Sequence, residues 1–398
     1  MQKNYHRFLI VAFIMFLCWG LLFTFIPPYR NYSDMEGKPM FVLKPQAFSL
    51  ANVFSGALFS NVATMLEDQF PIKESWIESY ARVQVAIGKK NINKKALGKD
   101  GYLAAIHSDQ IDDSVYTQII NLNNRLKEKN IGFLYVVAPT KDYIISDLLP
   151  NHLIYKGKDP FERLHEGLDH ELSWLDLSKV IGSAHGTEPQ YFKTDHHWNQ
   201  NGYFNAYQAI VTSLMNKGYL NEPPHEREHY TWKTYPQVFL GSEGRAVTLA
   251  VAKDMEDFTT YRPNFDSQMT VTNLEGESLK MIDEDLIKTD VYNNDYAAYL
   301  SGTAQYAKII NQLDGSKPKA IIAGISYAPP VVSLLADHFS EITYVDLRRY
   351  KTKSLNTLID EERPDMVIVL YYSGFFTEDM YGFDDIIMQD LSEQNQKH

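Results

Sequence analysis

The sequence predicts an α/β fold, a three-layer domain around a central parallel sheet, preceded by one N-terminal transmembrane helix. Two observations carry that expectation. Between residues 319 and 372, short apolar runs alternate with helical stretches: strand 319–324, helix 327–338, strand 341–347, helix 355–360 and strand 365–372. Strands alternating with helices imply right-handed βαβ units and a parallel sheet. The second observation is the run Phe8 to Ile26, FLIVAFIMFLCWGLLFTFI, nineteen residues without a charge.

At about 1.5 Å of rise per residue that run nearly spans the ~30 Å hydrocarbon core of a bilayer. Lys3 and Arg7 precede it, which favours an N-terminus inside the cell. Trp19 lies mid-segment, and Pro27, Pro28 and Tyr29 mark the exit. A cleaved signal peptide would have a shorter apolar region ending in an Ala-x-Ala-like site. No such site follows Ile26, so residues 1–28 read as a cytoplasmic stub and an uncleaved signal anchor. The expectation is a single-pass cell-membrane protein with its globular domain extracytoplasmic. The only cysteine, Cys18, sits inside the apolar run behind Phe16 and Leu17, without the small residues of a lipoprotein cleavage site. The globular part therefore has no disulfide and no thiolate metal site.

Residues 29–97 read as a tether and juxtamembrane helices. Residues 29–50 carry Pro, Gly, Asn and Lys, and residues 51–86 look helical. Val53, Leu58, Val62, Met65, Leu66 and Phe70 keep roughly helical spacing up to the break at Pro71. Residues 88–97, GKKNINKKAL, read as a solvated loop. The α/β domain then covers 98–398. It opens with a helix over 116–129, a buried strand over 131–137 (IGFLYVV), a possible strand over 173–177 and a helix over 201–215. The stretch 218–317 is charged and Pro-containing and reads as an irregular insertion. With 398 residues, 44% of them hydrophobic, a packed core can form; the net charge of -12 argues against nucleic acid as a partner.

Two segments carry candidate chemistry. In KAIIAGISYAPP, Ser326 lies just past the end of a predicted strand and before a helix. That is where a nucleophile elbow sits, and the helix N-terminus offers N–H groups to a developing oxyanion. Position 328 is Ala, so the full G-x-S-x-G pattern is not met, and a serine there can equally be a helix N-cap. In YFKTDHHW, Asp195 and His197 are two apart. An extended backbone would turn both to one face and His196 to the other, letting the carboxylate orient the imidazole as a general base. The alternatives for this segment are a satisfied histidine pair and a metal site, though no second cluster such as H-E-x-x-H accompanies it.

Together these segments resemble the DHHW family, related to the alginate O-acetylation proteins and to SGNH hydrolases. The resemblance rests on TDHHW with GISY downstream of a strand. LEDQFP (66–71), GKDGYL (98–103), VVAPTK (136–141), SEITYVDLRRY (340–350) and IVLYY (368–372) also match family blocks in order. It implies an SGNH-hydrolase-like fold in which the Asp-x-His element precedes the serine. It also implies transfer or removal of O-acetyl groups on an extracellular polysaccharide, beside a membrane-bound O-acyltransferase partner. Ser326 would be the nucleophile, His197 the base and Asp195 the orienting carboxylate, with no cofactor and no metal. Ile325 stands where the family carries Asp, and Ser373 where relatives carry Asn.

Three further residues are candidates for substrate or oxyanion contacts. Tyr327 follows the serine, and Lys141 follows the strand 131–137. Arg348 follows the strand 341–347 and could bind a carboxylate or sugar. Ser242, in Leu240-Gly241-Ser242-Glu243-Gly244, is a rival serine without a strand-to-helix frame. Two other function classes compete with the enzyme: a non-catalytic glycan-binding or assembly subunit of an O-acetylation system, and a metal-dependent phosphoesterase suggested by the bare Asp-His-His triplet.

Overall fold

The computed structural model describes residues 2–374 and 381–384, apart from 37, 108–110, 155, 185 and 304. The chain divides into two compact units, residues 1–89 with 245–251, and residues 90–244 with 252–398.

In the first unit, helix α1 (Gln2–Thr24) contains a stretch, Tyr5–Thr24, long and apolar enough to cross a membrane. Helices α2 (Ala57–Gln69) and α3 (Lys73–Ala86) follow. The chain between α1 and α2, read above as a tether, is pinned to the end of α2. Arg30 N–H donates to Gln69 Oε1 at 3.0 Å, and Gln69 Nε2 donates back to Arg30 O at 2.8 Å. Buried Asp68 accepts from Phe41 N–H and from Lys38 Nζ, both at 2.9 Å. Residues 29–50 contain few apolar residues in a periodic pattern, so the sequence shows no sign of these polar ties.

The second unit is built on a seven-stranded sheet. In chain order its strands are β1 (Gly132–Ala138), β2 (Trp174–Asp176), β3 (Met269–Thr272), β4 (Tyr306–Asn311), β5 (Lys319–Gly324), β6 (Glu341–Val345) and β7 (Met366–Tyr372). Across the sheet they run β3-β4-β6-β5-β7-β1-β2. The five from β6 to β2 are parallel, while β4 is antiparallel to β6 and β3 to β4. The central sheet is thus mostly parallel with an antiparallel edge. That edge comes from within the stretch 218–317, which also forms the long hairpin Tyr230–Phe239 and Glu256–Pro263. Its charged positions and Pro236 mask a strand pattern that one exposed hairpin face tolerates. Residues 88–97 likewise form strands, Asn91–Ile92 and Lys95–Leu97, rather than a loop.

Alternation along β1, β5 and β7 sends side chains to two different cores. On one face Leu134, Val136, Ile322, Ile368 and Leu370 pack in a cluster with Tyr203, Phe204, Tyr207 and Ile210 of α5 (Gln200–Asn216) and with α6 (Ala328–Leu335). On the other, Phe133, Tyr135, Ile321, Val367 and Val369 join Val115, Ile119, Leu122 and Leu126 of α4 (Asp113–Glu128) and Leu355, Leu358 and Ile359 of α7 (Leu355–Glu362). Both faces of the sheet are covered, so β1 is buried at every position, as parallel strands require. The C-terminal ends of the parallel strands share one edge, the usual ligand edge of an open α/β sheet.

Candidate active site

The Asp-His-His segment is a closed loop. Tyr191 and Trp198 form an antiparallel bridge at its neck, and Asn199 N–H donates to Gln190 O at 3.0 Å. Asn199 then caps α5, accepting from the N–H groups of Asn201 and Gly202. Asp195 folds back on the residues after it. Its Oδ1 accepts from His197 N–H at 2.9 Å and from His197 Nδ1 at 2.5 Å. The extended-backbone expectation is therefore corrected. Asp195 and His197 meet through an Asx-type turn, in which an aspartate binds the N–H two residues on. His196 is not sent to an opposite face: its ring lies 3.8 Å from that of His197, centroid to centroid.

Asp195 and His197 are both buried, at 2% and 7% exposure. Burial pushes the Asp195 carboxyl up. The charges on His197 and His196, the His197 hydrogen bond and the Ser242 N–H outweigh it and hold the carboxyl well below the usual carboxylate range. An ionised Asp195 requires the proton of neutral His197 to sit on Nδ1, which leaves Nε2 as the free basic atom. Nε2 is buried and has no hydrogen-bond partner among the described residues. The ring stacks on Tyr296 at 3.9 Å and 9°. His196 donates to or accepts from Ser242 Oγ at 2.8 Å. Burial of most of its side chain, then the neighbouring His197, pushes its imidazole well below the ordinary value.

Ser326 lies at the sheet edge, between the end of β5 and the start of α6, half-buried. Gly324 makes the turn possible, since a Cβ there would come 2.4 Å from Ala328 Cβ. Ile325 is fully buried among the apolar side chains that face α7. Tyr327 ties the turn to the loop: its hydroxyl donates to His196 O at 2.5 Å, and its ring packs 5.0 Å from Trp198 and 5.3 Å from His197. Ser326 and His197 are thus carried on segments in direct contact, with no hydrogen bond between Ser326 Oγ and His197 Nε2. Tyr327 itself is 1% exposed with its hydroxyl committed, so the side chain braces the site rather than meeting substrate.

Lys141 and Arg348 take different places from those expected. Lys141 is 2% exposed, and its ammonium is shared among Lys193 O at 3.0 Å, Asp195 O at 2.7 Å and Glu243 Oε2 at 2.5 Å. All three donors are used, so it supports the loop from beneath instead of facing the site edge. Arg348 donates through Nε and Nη2 to the two oxygens of Asp346, at 2.9 and 2.6 Å. That two-point pair with a buried carboxylate occupies the fork that would have bound a substrate carboxylate. Ser373 is also fully buried, and its hydroxyl accepts from Thr140 N–H at 3.1 Å, joining the ends of β7 and β1.

The segment Leu240 to Gly244 proves to be the loop's cradle. Gly241 N–H donates to Thr194 Oγ1 at 3.0 Å, Gly244 N–H to Thr194 O at 2.8 Å and Ser242 N–H to Asp195 Oδ2 at 2.6 Å. Glu256 receives the N–H groups of Lys193 and Thr194 at 2.6 and 2.7 Å, and burial raises its pKa. The sequence offered one signal, the paired glycines around Ser242, but nothing that tied them to Asp195. Tyr296 carried no signal at all.

Asp195, His196 and His197 each bring one potential metal ligand to within 4.8 Å of the others, and among the described residues no fourth joins them. Both Asp195 oxygens already accept hydrogen bonds that hold the loop, so an ion would have to displace the contacts that shape its own site.

Residues 99–285 match the family model of the SGNH hydrolase-like domain of acetyltransferase AlgX. The chain has an SGNH-hydrolase-like fold. The matched span includes Asp195 and His197 and ends before Ser326. Among solved structures, Bacillus cereus PatB1 with a sulfonyl adduct is 22% identical, covering 73% of this chain and 99% of its own, with a TM-score of 0.61. A DHHW family protein from Eubacterium siraeum is 20% identical, covering 71% of this chain and 92% of its own, with a TM-score of 0.56. The resemblance to the DHHW family read from TDHHW and GISY therefore extends to the fold. A comparison with curated protein sequences finds no match.

Proposed function

We propose that this is a membrane-anchored, extracytoplasmic O-acetyltransferase or acetylesterase acting on a cell-envelope or secreted polysaccharide. One observation carries the reading most: Asp195 holds His197 through Nδ1 while the buried Nε2 has no partner among the described residues, beside the turn that carries Ser326. An imidazole fixed on one side and unsatisfied on the other is the arrangement of a general base awaiting a proton. The AlgX family match and the sulfonyl adduct on PatB1 support an acyl-transfer site with a covalent nucleophile.

In this scheme Ser326 Oγ attacks the carbonyl carbon of a donor acetyl ester and His197 Nε2 takes the hydroxyl proton. Asp195 stabilises the imidazolium. At the start of α6 the Ala328 N–H already donates to Ile325 O at 2.7 Å and Pro329 and Pro330 have none, so the developing oxyanion is left to the backbone N–H groups of the Ser326–Tyr327 turn itself. The tetrahedral intermediate collapses, the donor oxygen leaves with the proton from His197, and the acetyl group stays on Ser326. A sugar hydroxyl or water then gives up its proton to His197 and attacks the acetyl carbon, and His197 returns that proton to Ser326 Oγ as the acyl–serine bond breaks. Catalytic hydrogen bonds are often loose without substrate and tighten in the complex. A membrane-bound O-acyltransferase that delivers acyl groups across the membrane fits as the partner of such a domain.

The absence of a Ser326–His197 hydrogen bond favours a second reading, a glycan-binding or assembly subunit without catalysis. One experiment separates the two. The full-length protein is treated with a sulfonyl fluoride and mapped by peptide mass, and hydrolysis of 4-nitrophenyl acetate is followed in parallel. The enzyme reading expects a label on Ser326 and at least a hundredfold loss of turnover in Ser326→Ala, roughly the scale of losing a nucleophile. Turnover unchanged in a folded Ser326→Ala protein, or no label and no turnover in the unmodified one, would hand the function to the binding subunit.

A further inference from the structure

Helix α3 has a face without a charge. Ile72, just before it, and Trp76, Tyr80, Val83 and Ile87 recur at helical spacing and are 57%, 44%, 57%, 55% and 65% exposed. Between them on the same face lie only Ser75, Ser79 and Ala86. The charges of α3 border this face or lie behind it: at about 100° per residue Lys73 falls next to Tyr80 and pairs with Glu36 at 2.6 Å, Arg82 falls next to Ser75, and Glu74, paired with Arg30, and Glu78 lie behind. Phe48, Leu50, Phe54 and Phe59 nearby are 65%, 77%, 87% and 66% exposed. So much large apolar surface facing water would be a liability in a soluble protein.

Within the same unit, α3 touches α1. The Phe16 ring lies 5.4 Å from that of Trp76 and 6.5 Å from that of Phe70. Gly20 leaves room for this contact, since a Cβ there would come 2.6 Å from the Phe70 ring. Phe16 precedes the end of α1 at Thr24 by two helical turns, about 12 Å along the axis. If α1 crosses the bilayer, the start of α3 lies below the level at which α1 leaves it.

We propose that α3 lies in the outer leaflet of the membrane that α1 spans, with the Ile72–Ile87 face against lipid acyl chains. This rests on the reading of α1 as a membrane anchor. Trp76 and Tyr80 are the residue types favoured where apolar contact meets the headgroups, and Arg82, at the edge of the face, can reach outward to them. The arrangement is that of an interfacial amphipathic helix, added to the spanning helix as a second membrane contact. It would fix the height of the anchored chain above the bilayer more tightly than one helix and a flexible linker.

The test uses full-length protein with Cys18→Ser, reconstituted in phosphatidylcholine–phosphatidylglycerol vesicles. Nitroxide labels are placed singly at Ile14→Cys, Tyr80→Cys, Val83→Cys and, as an aqueous control, Glu275→Cys. Power saturation then compares relaxation by oxygen with relaxation by a water-soluble nickel chelate. The expected result is several-fold stronger relaxation by oxygen at 14, 80 and 83, and the reverse at 275. Oxygen dominance at 14 with chelate dominance at 80 and 83 overturns the proposal and leaves the anchor standing. Chelate dominance at 14 removes the anchor reading itself and this inference with it. Spin–spin broadening at 83 would mean that a second copy covers the face. Labels at 80 and 83 shielded from both reagents would mean that protein covers it. Either result also overturns the proposal.

Discussion

The contact that most directly tests the site's architecture is between Gly241 and Asp195. A Cβ built on Gly241 would come 2.2 Å from Asp195 Cβ, 2.5 Å from its Cα and 2.6 Å from its nitrogen. Ordinary carbon contact begins near 3.4 Å, so Gly241→Ala must drive the two segments apart by about 1 Å. Asp195 cannot move alone, because Lys141 holds its carbonyl at 2.7 Å and Ser242 N–H holds Oδ2 at 2.6 Å. The displacement is therefore passed to the 2.5 Å bond between Oδ1 and His197 Nδ1. A misplacement of about 1 Å typically costs ~10²-fold in rate, and overpacking of a filled site costs ~1–3 kcal/mol of stability. The assay is saturating turnover of 4-nitrophenyl acetate by full-length protein, with thermal unfolding measured alongside. Gly315→Ala, where a Cβ meets nothing within 4 Å, serves as the control and should match the unmodified protein in both. If Gly241→Ala keeps full turnover while folded, Asp195 is not held by that contact in solution, and the argument for the cradle fails.

Two further outcomes follow from buried groups. Lys141→Met should cost about 3–5 kcal/mol in urea unfolding, since Glu243 is then buried without its partner; adding Glu243→Gln should cost less than the sum, and strict additivity would show the pair to be uncoupled. His338 is buried and donates to or accepts from Tyr207 through Nε2, and burial, then His225 and Lys317, lowers its pKa from 6.5 to about 4. Below pH 6.5 the unfolded chain takes up a proton that the native state refuses, so stability falls as pH drops toward 4. Between pH 7 and 5 that loss should be about 2 kcal/mol, and His338→Asn should flatten it; an unchanged slope would refute the assignment.

The parallel part of the sheet was legible because buried parallel strands are continuous apolar runs. Lys319–Gly324 was read with the observed bounds, and Met366–Tyr372 within a residue. The antiparallel edge was not, since β4 has an exposed face and its apolar run is interrupted by Lys308. Within the candidate site, the Asp195–His197 pair and the place of Ser326 after β5 were visible because their spacing and the strand-to-helix frame leave a pattern. What escaped was the support. Thr194, Gly241 and Glu243 act through backbone N–H groups, close approach and a buried ion pair, none of which leaves a period. The same reason misplaced Lys141: a lysine after a strand looks solvated unless its buried partner, 102 residues downstream, is known.

That partner settles what Lys141 can do for Asp195. Its ammonium binds the Asp195 carbonyl, not the carboxylate, and its charge is matched by Glu243. A lysine placed on the carboxylate would lower the Asp195 pKa too, but it would also compete with His197 for the negative charge. Among the described residues the carboxylate accepts hydrogen bonds from the N–H groups of Ser242 and His197 and from the His197 imidazole, with His196 Nδ1 3.7 Å from Oδ1. It stays ionised yet is not neutralised by a fixed cation, so in the proposed mechanism its charge is left for the imidazolium that would form when His197 takes a proton. The Lys141–Glu243 pair thus fixes the backbone of Asp195 while leaving its carboxylate free of a lysine, which is what the proposed general-base role of His197 would need.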